Sequence, residues 1–535
     1  MSQRSKLRQS RNQWKSKAGQ RGEKNRYLCK ELIRTKKERD GFKKELKETR
    51  ADLRRLEVQS QAPAFQHKVD LVFLALQLFL VAHIGFRAVC RVLHVLAPAL
   101  GIHKVPCPQT VINWVTRLSL VRIQAASMLK GLPLPSAPFC NGLIWMIDIS
   151  IALGTGKILT VLALDAHHHQ LSQAAPGFQN VQCMTVSVAD SWTGDTIASV
   201  LENVIAVTGR PAAYLKDGGC DLQKAVRLLD ERGLASPCID DISHVVANLL
   251  KHWYHDQPLF ETFISACGSV SGKLKQTILA CLSPPKVHTK ARFMNVHRLI
   301  IWADRLLKLS PAGGAAKGSM LSKLRACFDK LPLCRSLIKR FRDDAVALLK
   351  CQKILKTQGL SHATLAQCEL IIQSIHTGPV RRGFITYLHR QLDIAKELDL
   401  DDVGLTISSD PIESLFGLAK QHGVGQVKDA NRIAIRLPAF CGTPTRVEAE
   451  QVLKITVAEQ HELTAQFISL TKQRREVLAH PDRFEQLNTD QAHRHVELIP
   501  GSKNRSKDQK IIYFPVSYQN TGGPQPNCRN REVYS

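Results

Sequence analysis

Three apolar runs, at residues 143–150, 157–165 and 181–189, succeed one another in the middle of the chain. Each has the length of a strand, and Gly154-Thr155-Gly156 supplies a turn between the first two. Consecutive strands of this kind predict an antiparallel meander. The pattern then changes. Helical periodicity at 194–208, 221–232 and 242–254 alternates with short strand-like segments at 212–216 and 236–240. Strand–helix–strand connections require right-handed crossovers and parallel neighbours. The order β-β-β-α-β-α-β-α therefore predicts an α/β fold around one mixed sheet.

The flanks carry no such alternation. Residues 1–57 are polar and basic, with a 4,3 spacing of Leu28, Leu32, Thr35, Arg39, Phe42, Leu46, Thr49, Leu53 and Leu56. That spacing predicts a short coiled coil, or else a solvated amphipathic helix without a partner. Residues 59–66, with Pro63, read as a linker. Residues 67–130 read as helical. Within them, a helix around 86–96, a turn with Pro106 and Pro108, and a helix anchored by Trp114 suggest a helix-turn-helix. Its second helix would offer Gln109, Thr110, Asn113 and Arg117 to a major groove; an ordinary helical hairpin is the alternative. The Pro-rich stretch 131–139 marks a boundary before the core at 140–255.

Residues 256–405 show recurring helical periodicity and no strand, with breaks at Pro284-Pro285 and 310–318. Residues 406–440 return to the core with a helix at 411–421. Residues 441–497 read as a C-terminal helical region, with one amphipathic helix at 446–478. The polar tail 498–535 reads as disordered.

With 535 residues, 44% of them hydrophobic, several packed units are feasible and wholesale disorder is excluded. Lys and Arg number 74 against 46 Asp and Glu, a net charge of +28. Residues 1–60 alone hold 20 basic against 8 acidic residues. Such an excess predicts a polyanionic partner. The 15 cysteines show no CxxC spacing, the closest pair being Cys327 and Cys334. This argues against a zinc ribbon or disulfide scaffold and for a reducing compartment with mostly buried thiols. The apolar run 71–82 is broken by Gln77. It is shorter than the ~20 residues of a membrane span and predicts a buried helix, with no membrane partner.

The candidate chemistry lies in carboxylates. Asp148 interrupts an apolar strand and shares a face with Ile144 and Met146. Burying it is costly unless it is paired, hydrogen-bonded or metal-bound. Asp217 ends a strand before Gly218-Gly219, at the carboxyl end where α/β sheets place their sites; turn chemistry or an N-cap would also explain it. Glu413 follows Asp410-Pro411, which reads locally as a capping box. Asp165, Asp190, Asp195, Asp221 and Asp240 are rival carboxylates of lower rank. His167-His168-His169 does not form a ligand set, because adjacent side chains diverge.

Taken together, strand-borne Asp148, strand-end Asp217 and helical Glu413 resemble the DDE transposases of bacterial insertion sequences, within the retroviral-integrase superfamily. Asp241-Ile242-Ser243-His244 resembles the [C/D]xxH signature of several transposase groups. The long helical block resembles the all-α insertion of hAT-type enzymes. Lys420, seven residues after Glu413, resembles the Glu-x6-Lys part of a YREK motif, although Thr406 and Ser409 stand where its Tyr and Arg are expected.

The resemblance implies an RNase H-like core with an all-helical insertion, and a Mg²⁺-dependent transposase that cleaves a transposon end and joins its 3′-OH to target DNA. It implies two Mg²⁺ ions, with Mn²⁺ as a substitute, held by Asp148, Asp217 and Glu413. Asp148 would bridge both ions. His244 would touch the scissile phosphate or a metal-bound water, unless it only caps its helix. Lys420 would contact a DNA phosphate, unless it is simply solvated. Partners would be transposon-end and target DNA and at least one further copy of the chain, in a bacterial cytoplasm at the nucleoid. The competing functions are a non-catalytic DNA-binding derivative and a structure-specific nuclease on the same fold.

Overall fold

The computed structural model describes residues 3–59, 68–153, 156–172, 174–275, 277–287, 292–421, 429–465, 467–468 and 496–498. Its contacts divide the chain into two units, residues 1–71 with 93–105, and residues 72–92 with 106–535. The first unit is dominated by α1 (Gln3–Gln59), a single helix of 57 residues. The expected disordered tail 498–535 falls almost wholly outside the described residues.

Three further helices follow α1 before the first strand: α2 (Lys68–Leu80), α3 (Phe86–Leu100) and α4 (Pro108–Ala125). The second unit is built on strands β1 (Leu143–Leu153), β2 (Gly156–Asp165), β3 (Gln182–Ala189), β4 (Ala213–Lys216) and β5 (Cys238–Asp240), with β6 (Val496–Leu498) at one edge. Their order is β5-β4-β1-β2-β3-β6. β1, β2 and β3 form the antiparallel meander, while β1–β4 and β4–β5 are parallel. The α/β reading therefore holds, with a mixed sheet in a chain that is mostly helix.

Alternation along β1 decides what each face of the sheet does. Leu143, Trp145 and Ile147 point into the main core with Val161, Tyr214, Leu201 and Leu229. Trp145 and Tyr214 meet edge to face at 6.3 Å. That core is closed by α6 (Gly194–Thr208) and α7 (Cys220–Glu231), with the short α5 (His168–Leu171) lying between β2 and β3 in sequence. Thr193 and Thr196 form a capping box that starts α6, and Gly209 at φ 83° ends it. Ile144, Met146 and Asp148 occupy the opposite face.

After α8 (Ile242–Tyr254) comes the helical block: α9 (Pro258–Lys275), α10 (Arg292–Leu309), α11 (Met320–Cys327), α12 (Arg335–Gln358), α13 (His362–Ile372) and α14 (Gly378–Glu397). It has its own aromatic core, with Phe260 and Phe293 stacked at 5.2 Å and Phe341 packed on Tyr254 at 4.2 Å. The Tyr254 hydroxyl donates to buried Asp344 at 2.7 Å, which ties α8 to α12. The chain returns through the lone bridge Leu360–Leu405 to α15 (Asp410–Gln421), which packs on β1. α16 (Ala430–Ala434) and α17 (Leu437–Phe440) follow.

Two C-terminal expectations change. The single helix at 446–478 is two helices over its described part, α18 (Arg446–Lys454) and α19 (Val457–Thr464). Thr456 and Glu459 form a capping box that starts α19 afresh, as Thr445 and Glu448 do for α18. Residues 496–497, expected in the C-terminal helical region, and 498, expected to open the disordered tail, pair antiparallel with β3. A three-residue strand is too short to read from periodicity. The thiols are also less buried than expected: Cys183, Cys267, Cys334, Cys351, Cys368 and Cys441 are buried, while Cys29, Cys107, Cys220 and Cys281 are exposed. Among the described residues, no helix is long and apolar enough to cross a membrane.

Candidate functional site

The parallel register of β1 and β4 pairs Ile144 with Ala213, Met146 with Leu215 and Ile147 with Lys216. One residue further come Asp148, on β1, and Asp217, just past the end of β4, and the charge of Asp217 acts on Asp148. The two carboxylates come together because β4 ends where β1 is still running. Each is anchored by local backbone. Asp148 Oδ1 accepts from Ile149 N–H at 2.6 Å, and Asp217 Oδ1 accepts from Gly219 N–H at 2.9 Å. A Cβ on Gly219 would sit 2.9 Å from that Asp217 oxygen, so the turn is fitted closely beneath the carboxylate.

Glu413 arrives from the far side of the helical block on α15. Its Oε1 lies 3.7 Å from His244 Nε2 on α8, an ion-pair distance. The charges of Asp217, Glu413 and His244 all act on Asp148, and those of Glu413 and Asp217 act on His244. Burial, reinforced by the charges of Asp217 and then Glu413, pushes the Asp148 carboxyl up to about 6. Facing Glu413, and with Asp241 and Asp217 nearby, His244 is pushed up to about 9 against the effect of burial. Glu413 is in turn held below its usual range, by His244 first and by Lys356 more weakly. Among the described residues, no group of three acidic, histidine or cysteine side chains is gathered tightly enough to hold a metal ion. The charge of Asp217 acts on Asp148, and the Glu413 carboxylate is turned to His244.

This pairing has a measurable pH window. A His whose folded pKa is raised contributes stability that is complete below its ordinary 6.5 and lost as pH rises through about 9. A Glu whose pKa is lowered contributes stability that disappears as pH falls through its folded value. The His244 imidazole should therefore titrate near pH 9 by NMR and move back towards 6.5 in Glu413→Gln. An unmoved midpoint would show that Glu413 does not set it.

The capping-box reading of Asp410 and Glu413 is corrected. Both Asp410 oxygens accept from Lys356 Nζ at 2.7 Å, and Glu413 faces His244 instead. The neighbouring clasp is Asp241. It is 1% exposed and caps α8 by accepting from Ser243 and His244 N–H at 2.7 and 3.0 Å. Its other oxygen accepts from the N–H and hydroxyl of Ser409 at 2.6 and 2.7 Å. One buried carboxylate thus fastens the start of the His244 helix to the residue just before the Glu413 helix.

The rival carboxylates for which the structure gives partners are held by ordinary contacts. Asp240 is neutralised by Lys216 and Arg390, Asp195 by Lys224, and Asp165 accepts from the N–H groups of Leu132 and His167. In the His run, burial, then the charge of His168, lowers His169 to about 4. A Cβ on Gly359 would clash with the His169 ring at 2.6 Å, which places that ring in a packed interior.

The groove-reading expectation divides. Gln109 is exposed and bonds to Asn113 at 3.0 Å, and Thr110 lies 3.3 Å from Cys107 Sγ. Asn113 also accepts from Gln460 at 3.2 Å. Arg117 is only 8% exposed and its Nε donates to Gln460 at 2.9 Å, so it ties α4 to α19 and is not offered to a ligand. The second half of α4 is buried on all sides, as in a core helix. The seven residues between α3 and α4 also exceed the 3–4-residue turn of a helix-turn-helix. The Lys420 side chain lies outside the described residues. Sequence reasoning missed Lys356 and Ser409. The Asp before a helix was a legible cap signal for Asp241, whereas nothing in the sequence joins Lys356 to Asp410 across the helical block.

A scan against protein-family models finds no match, and a search of curated proteins finds no similar sequence.

Proposed function

We propose that the chain is a DDE-type DNA transposase with an RNase H-like core, acting on phosphodiester bonds of DNA. The observation that carries this reading is the convergence of Asp148, Asp217, Glu413 and His244, from four separate elements, on one electrostatic neighbourhood at the carboxyl end of β4. The order of these residues, the long helical block before the Glu helix, and the net charge of +28 add support.

The donor chemistry suits a hard divalent cation: three carboxylates, one of them pushed up to about 6 by burial and then by its acidic neighbours. Asp148, Asp217 and Glu413 would hold Mg²⁺ or Mn²⁺, with Glu413 leaving His244 to join the pair. Such ions activate the attacking oxygen and stabilise the leaving one in an in-line displacement. The residues themselves supply the frame. β1 and β4 fix two carboxylates by backbone register, Gly219 orients Asp217, and Asp241 sets α8 against the start of α15. His244, partly exposed at the start of α8, would attract a non-bridging phosphate oxygen in its protonated form.

The test uses the full-length protein, Mg²⁺, and DNA taken from either side of its own gene, with a supercoiled plasmid as target. The expected result is nicking at the gene's flanks followed by joining to the plasmid. Binding without any cleavage in Mg²⁺ or Mn²⁺ would favour the non-catalytic DNA-binding protein. Cleavage at branched or random sites without joining would favour the structure-specific nuclease.

A further inference from the structure

The site leaves α1 without a role. Its large apolar side chains face solvent: Leu28 is 51% exposed, Leu32 55%, Phe42 70% and Leu46 53%. These four lie on one seam, while the exposed Tyr27 and Ile33 lie off it. A shallow groove on this helix is lined by Thr35, Glu38, Arg39, Phe42, Lys43 and Leu46, all of which belong to that seam or its borders. Thr35 and Thr49 turn their hydroxyls back to carbonyls of their own helix, at 3.0 and 2.7 Å from Glu31 O and Glu45 O, which leaves their methyl groups for the seam.

We propose that a second copy of this chain docks along α1, parallel and in register, through residues 25–50. The charges beside the seam choose both the occupant and its direction. With Asn25, Leu32, Arg39 and Leu46 at heptad position a, and Leu28, Thr35, Phe42 and Thr49 at d, every g position from 31 to 45 is acidic: Glu31, Glu38 and Glu45. The e positions five residues further on are all basic: Lys36, Lys43 and Arg50. In a parallel pair, g of one helix faces e of the next heptad of its partner. Each rung then joins Glu to Lys or Arg, twice over by symmetry. An antiparallel pair sets g against g and e against e, so every rung joins like charges. Polar residues at a restrict the number of helices and fix register, and Arg39 can reach the partner's acidic g position. The ion pairs Arg34 makes with Glu31 and Glu38 along its own helix are exposed and compete weakly.

The parallel arrangement has a consequence for the other end of the helix. Residues 3–24 hold eight Lys and Arg against one acid, Glu23, and no acidic g position remains to bridge two copies. Both basic arms leave the pair at the same end, where like charge drives them apart. Two arms diverging from one parallel stem suit the two flanks of a single DNA duplex. The inference does not depend on the catalytic reading.

Sedimentation of the full-length protein without DNA tests it. The wild type should be a dimer. Glu31→Lys, Glu38→Lys and Glu45→Lys together should weaken the dimer by about 100-fold or more, since every rung becomes repulsive. Adding Lys36→Glu, Lys43→Glu and Arg50→Glu to that chain should restore it, which only the parallel arrangement predicts. Thr35→Cys, at a d position, should cross-link two copies under mild oxidation beyond the wild-type background. A monomeric wild type, a triple variant that stays dimeric, a sixfold variant that stays dissociated, or no cross-link at residue 35 would each overturn the proposal. DNA cleavage by a monomeric wild type would separate failure here from failure of the catalytic reading.

Discussion

Asp148→Asn is expected to abolish DNA cleavage and, at the same time, to make the unliganded protein more stable at neutral pH. The two effects share one cause. Asp148 is held in a partly buried site beside Asp217, where ionisation is resisted until about pH 6. A carboxyl whose folded pKa lies above its ordinary 3.8 makes the folded state bind more protons than the unfolded chain. Its penalty is absent below the ordinary value and complete above about 6, so wild-type stability should fall as pH rises through that interval. Asn removes the charge at nearly constant shape, and the gain at pH 7.5 should be about 2–3 kcal/mol. In the proposed metal site the same change would remove an oxygen donor used in the transition state. A loss of about 4 kcal/mol there lowers the rate on the order of 10³-fold. Urea unfolding and a cleavage assay on the same preparation measure both. A variant that is destabilised at pH 7.5, or that still cuts DNA, contradicts this account of Asp148.

Asp241→Ala should produce the opposite balance, a large loss of stability that takes activity down with it. Asp241 accepts four hydrogen bonds in a buried place, two at the start of α8 and two from Ser409. Removing the carboxylate strands the Ser243 and Ser409 N–H groups, and the cost should be about 3–5 kcal/mol. Ser409→Ala, which loses only the hydroxyl contact, should cost about 1–2 kcal/mol. Because Asp241 also sets α8 against α15, His244 and Glu413 should lose their mutual effect, and the imidazole midpoint should fall from about 9. An Asp241→Ala protein as stable as wild type would mean that this clasp carries little of the packing.

How far the sequence spoke follows from the range of each signal. Apolar runs and helical periodicity are local, so the strands and longer helices from β1 to α8 were readable, though not the four-residue α5, and α6 and α8 begin and end where the spacing put them. The place of Asp148 beside Asp217 was readable in outline, because strand alternation and strand ends are also local. The partners of Glu413 were not. The capping-box pattern at 410–413 is a sound local signal, but Lys356, far away on α12, captures Asp410, and His244 captures Glu413. Arg117 misled for the same reason. A polar residue on a helix reads as exposed until α19 covers it with Gln460. β6 is three residues long and draws its order from β3, so no pattern within it could reveal it.

The most direct test of the central claim replaces Mg²⁺ with Fe²⁺, adds ascorbate and peroxide, and maps where hydroxyl radicals cut the polypeptide. The account predicts cuts near residues 148, 217 and 413 in the same molecules, suppressed by excess Mg²⁺ and lost together in Asp148→Asn. Cuts confined to the neighbourhood of 148 and 217, with none near 413, or no metal-dependent cuts at all, would contradict a shared centre of three carboxylates.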